Sequence, residues 1–269
     1  MEFCPAFVDE TGVLTGSVTT QPIYGIGLLV VEQPQLVTDS LYELHFNFGS
    51  GRAFRRSQLR RAILDEARIQ TLGELDRLMW ATRHHEYNFS EVTRHNLQQY
   101  IDLLNLYFSL PGFGFHAVLV DRLDPDFDLA ALGNDPWGGY LSLARELLKR
   151  RVKRKVFAIV DLQCKPKEAR LRLEDVVCSV PNVQGCLRAT SDMSVFLQLV
   201  DVLLGFVQFD WKDQHDYYGA GSRRAEAKRE LTAFIKGRLC LGLKWTQALR
   251  QTTDPTQTVY LRPKSSAES

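Results

Sequence analysis

The sequence predicts an α/β fold, a mixed five-stranded sheet flanked by helices. Three observations lead there. Four apolar runs each close on the same dipeptide, Val8-Asp9, Val120-Asp121, Val160-Asp161 and Val200-Asp201. The segment LYELHFNF at 41–48 alternates strictly, which is the period of a half-buried strand. Stretches of helical period separate the later strands, and such crossovers make parallel neighbours.

Taken in order, residues 5–9 and IYGIGLLVV at 23–31 read as strands joined by a Gly/Thr/Ser-rich turn. In the third strand Leu41, Glu43, His45 and Asn47 share one face, and Tyr42, Leu44, Phe46 and Phe48 the other. Helical spacing follows at 54–82, through Leu59, Ile63, Leu72, Leu75 and Leu78. It returns at 90–109, with Ser90 as N-cap and Pro111-Gly112 as terminator. FHAVLVD at 115–121 is the fourth strand, 138–151 a helix running into basic residues, and KVFAIVD at 155–161 the fifth strand. One of Thr190, Ser191 and Asp192 caps a helix to about residue 209. Ser222 opens a last helix to about residue 238. Residues 1–250 read as a single domain. Polar residues 251–269, ending KSSAES, read as a disordered tail.

The 269 residues include 45% hydrophobic and 24% charged residues, ordinary globular values, and the net charge is +1. Bulk charge therefore announces no partner. Local clusters do exist: Arg52, Arg55, Arg56, Arg60 and Arg61; Lys149 through Lys155; and Arg223, Arg224, Lys228 and Arg229. Basic patches bind phosphates even on a neutral protein, although a solvated helix face explains each cluster about as well. The five cysteines have no metal-binding spacing, so a reduced, cytoplasmic protein is expected. The start MEFCPAFVDE does not have the form of a signal peptide. The apolar run near 195–209 is too short for a membrane span.

An aspartate at the end of a buried run is costly unless its charge is compensated. None of the four has a basic residue inside its own run. Several such carboxylates in one cleft repel each other, and a divalent cation relieves the repulsion. The plainer account is that a strand-ending Asp opens a turn by bonding its downstream backbone. Asp161, followed by LQCKPK, is read that way. Asp201 lies in the apolar helix FLQLVDVLLGF with no cation three or four residues away. It needs a tertiary partner, and Gly205 would let this helix approach the sheet closely.

The order of strand-end Asp, strand Glu, strand-end Asp and helical Asp resembles the ribonuclease H-like superfamily. More specifically, the chain is similar to domain-of-unknown-function family 3800. The carrying residues are Asp9-Glu10-Thr11-Gly12, Glu43-Leu44-His45, HAVLVD ending at Asp121, and Leu197-Gln198-Leu199-Val200-Asp201. Thr11 and Val200 depart from the family's Ser and Ala, and His45 from its more frequent Lys. The resemblance, over about residues 6–238, implies hydrolysis of nucleic-acid phosphodiesters with two Mg²⁺ or Mn²⁺ ions. It places Asp9, Glu43, Asp121 and Asp201 as metal ligands and catalytic residues, and gives Asp161 no counterpart. His45, Glu10 and Gln198 are auxiliary candidates, with Glu10 expected to face away from the site. Arg55, Arg56, Arg60, Lys153, Arg154, Arg223 and Arg224 are candidate nucleic-acid contacts.

A non-catalytic nucleic-acid- or protein-binding module is the alternative. Gly25-x-Gly27 lies within a strand and is no dinucleotide fingerprint, and neither a P-loop nor a Gly-x-Ser-x-Gly elbow occurs. Trp211, His215, Tyr217 and Tyr218 could stack bases, with ordinary loop packing slightly favoured. Nucleic-acid type and oligomeric state stay open.

Overall fold

The computed structural model describes residues 3–14, 17–32, 86–109, 112–125, 127, 135–162, 166–167, 169–191 and 194–238, together with the backbone of 257–261. Six strands form one sheet: β1 (Cys4–Thr11), β2 (Ile23–Val31), β3 (Phe113–Asp121), β4 (Val156–Asp161), β5 (Val183–Ala189) and β6 (Gln257–Leu261), in the order β5-β4-β1-β2-β3-β6. β2 runs antiparallel to both β1 and β3, while the β1–β4, β4–β5 and β3–β6 pairs are parallel. The helices are α1 (Leu97–Ser109), α2 (Pro136–Arg151), α3 (Leu173–Cys178), α4 (Val195–Gln214) and α5 (Arg223–Arg238). The architecture is thus the expected α/β one, a mixed sheet flanked by helices, consistent with a ribonuclease H-like arrangement.

Four expected strands are present, and the one expected at 41–49 lies outside the described residues, as does the helix expected at 54–82. Two strands were not anticipated. β5, VQGCLRA, alternates poorly because it is an edge strand whose side chains are mostly half-exposed. β6 lies inside the segment expected to be disordered. There QTVYL pairs with Phe115–Leu119 of β3, and such pairing overrides a polar local composition.

Alternation along the strands divides the core in two. Ala6, Val8, Ile26, Leu28, Val118 and Val120 face α2 and α3. Phe7, Leu29, Phe115, Ala117 and Leu119 face α4, with α1 and α5 completing that layer. The caps explain where helices begin. Asp135 accepts from Gly138 N–H at 2.8 Å with Pro136 in the first turn of α2. Ser194, rather than residues 190–192, caps α4 through Leu197 N–H, and Ser222 accepts from Ala225 N–H before α5. The helix expected from Ser90 starts later. Asn88 caps a single 3-10 turn at Phe89–Glu91, and a second turn intervenes before α1. No helix among the described residues is long and apolar enough to cross a membrane.

Two glycines set how closely α4 packs. A Cβ on Gly27 would lie 2.9 Å from Val200 Cγ1, so the bare backbone of β2 admits the helix. Gly205, expected to face the sheet, instead lies against Phe89, whose Cβ a methyl group there would overlap. Gly205→Ala should therefore destabilise the protein by about 1–3 kcal/mol despite the gain in helix propensity. Gly237→Ala, with open space around it, should be neutral or stabilising by up to about 1 kcal/mol. Urea unfolding of both variants checks this, and a stabilised Gly205→Ala would contradict it.

Candidate functional site

The sheet register brings two aspartates together that sequence reasoning separated. Val8 pairs with Val160 across the parallel β1–β4 ladder, so Asp9, two residues before the end of β1, lies beside Asp161 at the end of β4, about 4.8 Å away. Both alternate with residues of the α4 layer, Phe7 and Ile159, and so share the α4 face. Gly27 is the partner of Asp9 on the other side, in β2. Because Val200 and Leu204 pack onto Gly27, Asp201 is lowered onto the same spot.

The electrostatics agree. Asp9 is 7% exposed. Burial holds its carboxyl well above the ordinary range, and the charges of Glu10, Asp201 and Asp161 push it further. Among the described residues its carboxylate accepts one hydrogen bond, from Glu10 N–H to Oδ1 at 2.8 Å. Asp201 is pushed up to about 6, chiefly by burial. The bond from Phe89 N–H opposes this, Asp161 and Glu86 add repulsion, and Lys228 attracts. The tertiary partner Asp201 needs is that Phe89 N–H, 2.8 Å from Oδ2. Gln198, one turn earlier, accepts from Tyr87 N–H at 3.0 Å and donates to Ser191 O at 2.9 Å. It holds segment 86–89 against α4.

Asp121 does not join this group. Ile23 pairs with Asp121 while Gly27 pairs with Asp9, and β2 lies between the two strands. Four residues along and two strands across amount to on the order of 16 Å. Asp121 Oδ1 accepts from Leu123 N–H at 2.9 Å, the turn-opening role expected of a strand-end Asp. Its carboxyl is raised by burial, and the charges acting on it are those of Asp124 and His215. Sequence reasoning assigned that turn role to Asp161 because a proline follows. The signal that could have found Asp161 is its strand, KVFAIVD, the parallel neighbour of β1.

Glu10 lies on the opposite face, as expected, with its charge acting on Tyr24 and Tyr140. Glu43, His45, Arg55, Arg56 and Arg60 lie outside the described residues. Lys153 and Arg154 are exposed in the turn before β4, at the sheet edge opposite Asp161 and roughly 20 Å from it. Arg154 pairs there with Glu32 at 3.3 Å. Arg223 is exposed at the start of α5, and Arg224 follows it in the same turn. Trp211 and His215 stack at 3.9 Å, and Tyr218 stacks on Phe209 at 4.9 Å. Trp211 and Phe209 are core residues, so Tyr218 packs against the core rather than forming a separate platform.

In charge and chemistry the set suits a hard divalent cation, since carboxylate oxygens are its preferred donors and mutual repulsion here disfavours ionisation. In spacing it is incomplete: among the described residues no three His, Cys, Asp or Glu side chains are grouped to hold a metal ion. Compared with protein families, curated proteins and solved structures, the chain matches none.

Raised carboxyls make folding pH-dependent. A proton bound more tightly in the folded state stabilises below the unfolded carboxyl range, and that stability is lost as pH rises through the folded value. For Asp201 the loss falls between about pH 4 and just above the folded value of about 6, and is on the order of 3 kcal/mol. Urea unfolding across that range should show the wild type losing stability, and Asp201→Asn losing less by that amount. Equal losses would remove Asp201 from the raised set.

Proposed function

We propose that this protein is a divalent-cation-dependent phosphodiester hydrolase acting on nucleic acid, of the ribonuclease H-like kind. One observation carries the reading: Asp9 and Asp161 lie side by side on neighbouring parallel strands and on one face, with Asp201 packed over them. Asp9 and Asp161 would hold Mg²⁺ or Mn²⁺, two ions by the resemblance. Asp201 would supply an oxygen from its α4 turn, and Glu43 is a ligand by the resemblance alone. A divalent cation so held supplies a water of lowered pKa and neutralises charge on the phosphoryl oxygens.

The chain's own residues set up the rest. The Glu10 N–H fixes Asp9 through Oδ1, leaving Oδ2 for a ligand. The Phe89 N–H fixes Asp201 through Oδ2, so its Oδ1 is the atom to offer. The apolar wall formed by Phe7, Val200 and Leu204 keeps water from one side of the site and strengthens every charge interaction there. A non-catalytic binding module is favoured by a single observation, the incomplete spacing of the carboxylates.

Thermal unfolding with EDTA and with Mn²⁺ separates the two. A cation at about ten times its dissociation constant stabilises by roughly 1.4 kcal/mol, about 3–5 °C for a chain of this size. Asp9→Asn and Asp161→Asn should abolish that response and any Mn²⁺-dependent cleavage of DNA or RNA, while Asp121→Asn should keep both. An unresponsive wild type, or a response indifferent to Asp9→Asn, would hand the lead to the binding module.

A further inference from the structure

We propose that Lys228 is a substrate-contacting residue of this site, its ammonium placed to hold the backbone phosphate next to the one at Asp9 and Asp161. The inference rests on the hydrolase reading and names a contact that reading lacks. Lys228 lies on α5 three residues after Ala225 and four before Thr232, both buried. Its stem therefore starts on the packed face of the helix, which limits where the head can go. Nζ sits 5.4 Å from the centroid of the Phe89 ring, and Phe89 is the residue whose N–H grips Asp201. The charge reaches Asp201 from the Phe89 side.

Three other cations of α5 are directed elsewhere. Arg229 grips Asp213 at 2.7 Å and Lys236 grips Asp210 at 3.1 Å, and both of those carboxylates lie toward the far end of α4. Arg238 lies over Phe108 and Phe234. The Lys228 charge, by contrast, acts on Asp201 of the acidic set. A strand whose phosphate lies at Asp9 and Asp161 leaves the site carrying further negative charge, and a cation on the Phe89 side meets it.

The test is oligonucleotide binding by the Asp9→Asn protein without divalent cations, which removes cleavage and much of the repulsion. Labelled single-stranded DNA and RNA, and a DNA duplex, serve as probes across a salt series. Adding Lys228→Met should weaken binding on the order of 5- to 10-fold at low salt and reduce the slope of log K against log salt by about 0.7–0.9, one phosphate contact. Lys228→Arg should restore both, a result mere packing of the stem would not produce. Lys153→Gln, at the opposite edge of the sheet, should leave the slope unchanged. An unchanged slope in Lys228→Met, a loss in Lys153→Gln instead, or no binding by the parent would overturn the proposal. A Lys228-dependent slope in a protein whose wild type ignores Mn²⁺ would keep Lys228 as a phosphate contact and remove the hydrolase.

Discussion

Helix α4 is buried along nearly its whole length, from Val195 to Lys212, and a buried helix can carry polar side chains only where each finds a partner. Gln198, Asp201, Gln208 and Lys212 follow one another three, seven and four residues apart, down one face. Gln198 takes Tyr87 N–H and Asp201 takes Phe89 N–H. Gln208 donates to Ile23 O and Lys212 to the side chain of Gln21, both at 3.3 Å. This polar seam registers the helix against the sheet and against segment 86–91. Shifting it by one residue would leave four polar groups buried among leucine and phenylalanine. The position of Asp201 over the end of β1 follows from that register.

The acidic site is then a consequence of how β1, β4 and α4 must meet. Parallel pairing of β1 with β4 puts Asp9 beside Asp161 whatever else happens, and Gly27 lets α4 come near enough for Asp201 to add its charge. Three carboxylates so placed cannot all ionise cheaply. The fold tolerates the cost because the central strands β1, β2 and β3 are otherwise largely buried and apolar. A stability optimum would have put a hydrophobic residue at Asp9. Retaining a buried acid there is the kind of local conflict expected of a working site.

Most of the fold was legible because its strands are strongly apolar and its helices long. β1, β2, β3 and β4 lie where runs of valine, leucine and isoleucine mark them, and α5 starts after Ser222, whose side chain caps it. β5 and β6 were not legible, since an edge strand needs no strict alternation. The site was half legible. Asp9 and Asp201 stand out as acids in apolar runs, and the structure brings them together. Asp121 and Asp161 end equally good strands, and only strand order tells them apart. That order depends on pairings between residues distant in the chain, such as Val8 with Val160, which no local pattern records.

Anomalous scattering from crystals grown with Mn²⁺ addresses the central claim most directly, because it locates the ion rather than its effect. A peak touching the carboxylates of both Asp9 and Asp161, with Asp201 turned toward it, is the predicted result. Mn²⁺ bound at Asp121 instead, or no peak beside Asp9 at saturating Mn²⁺, would contradict the account and leave the buried aspartates as residues of packing alone.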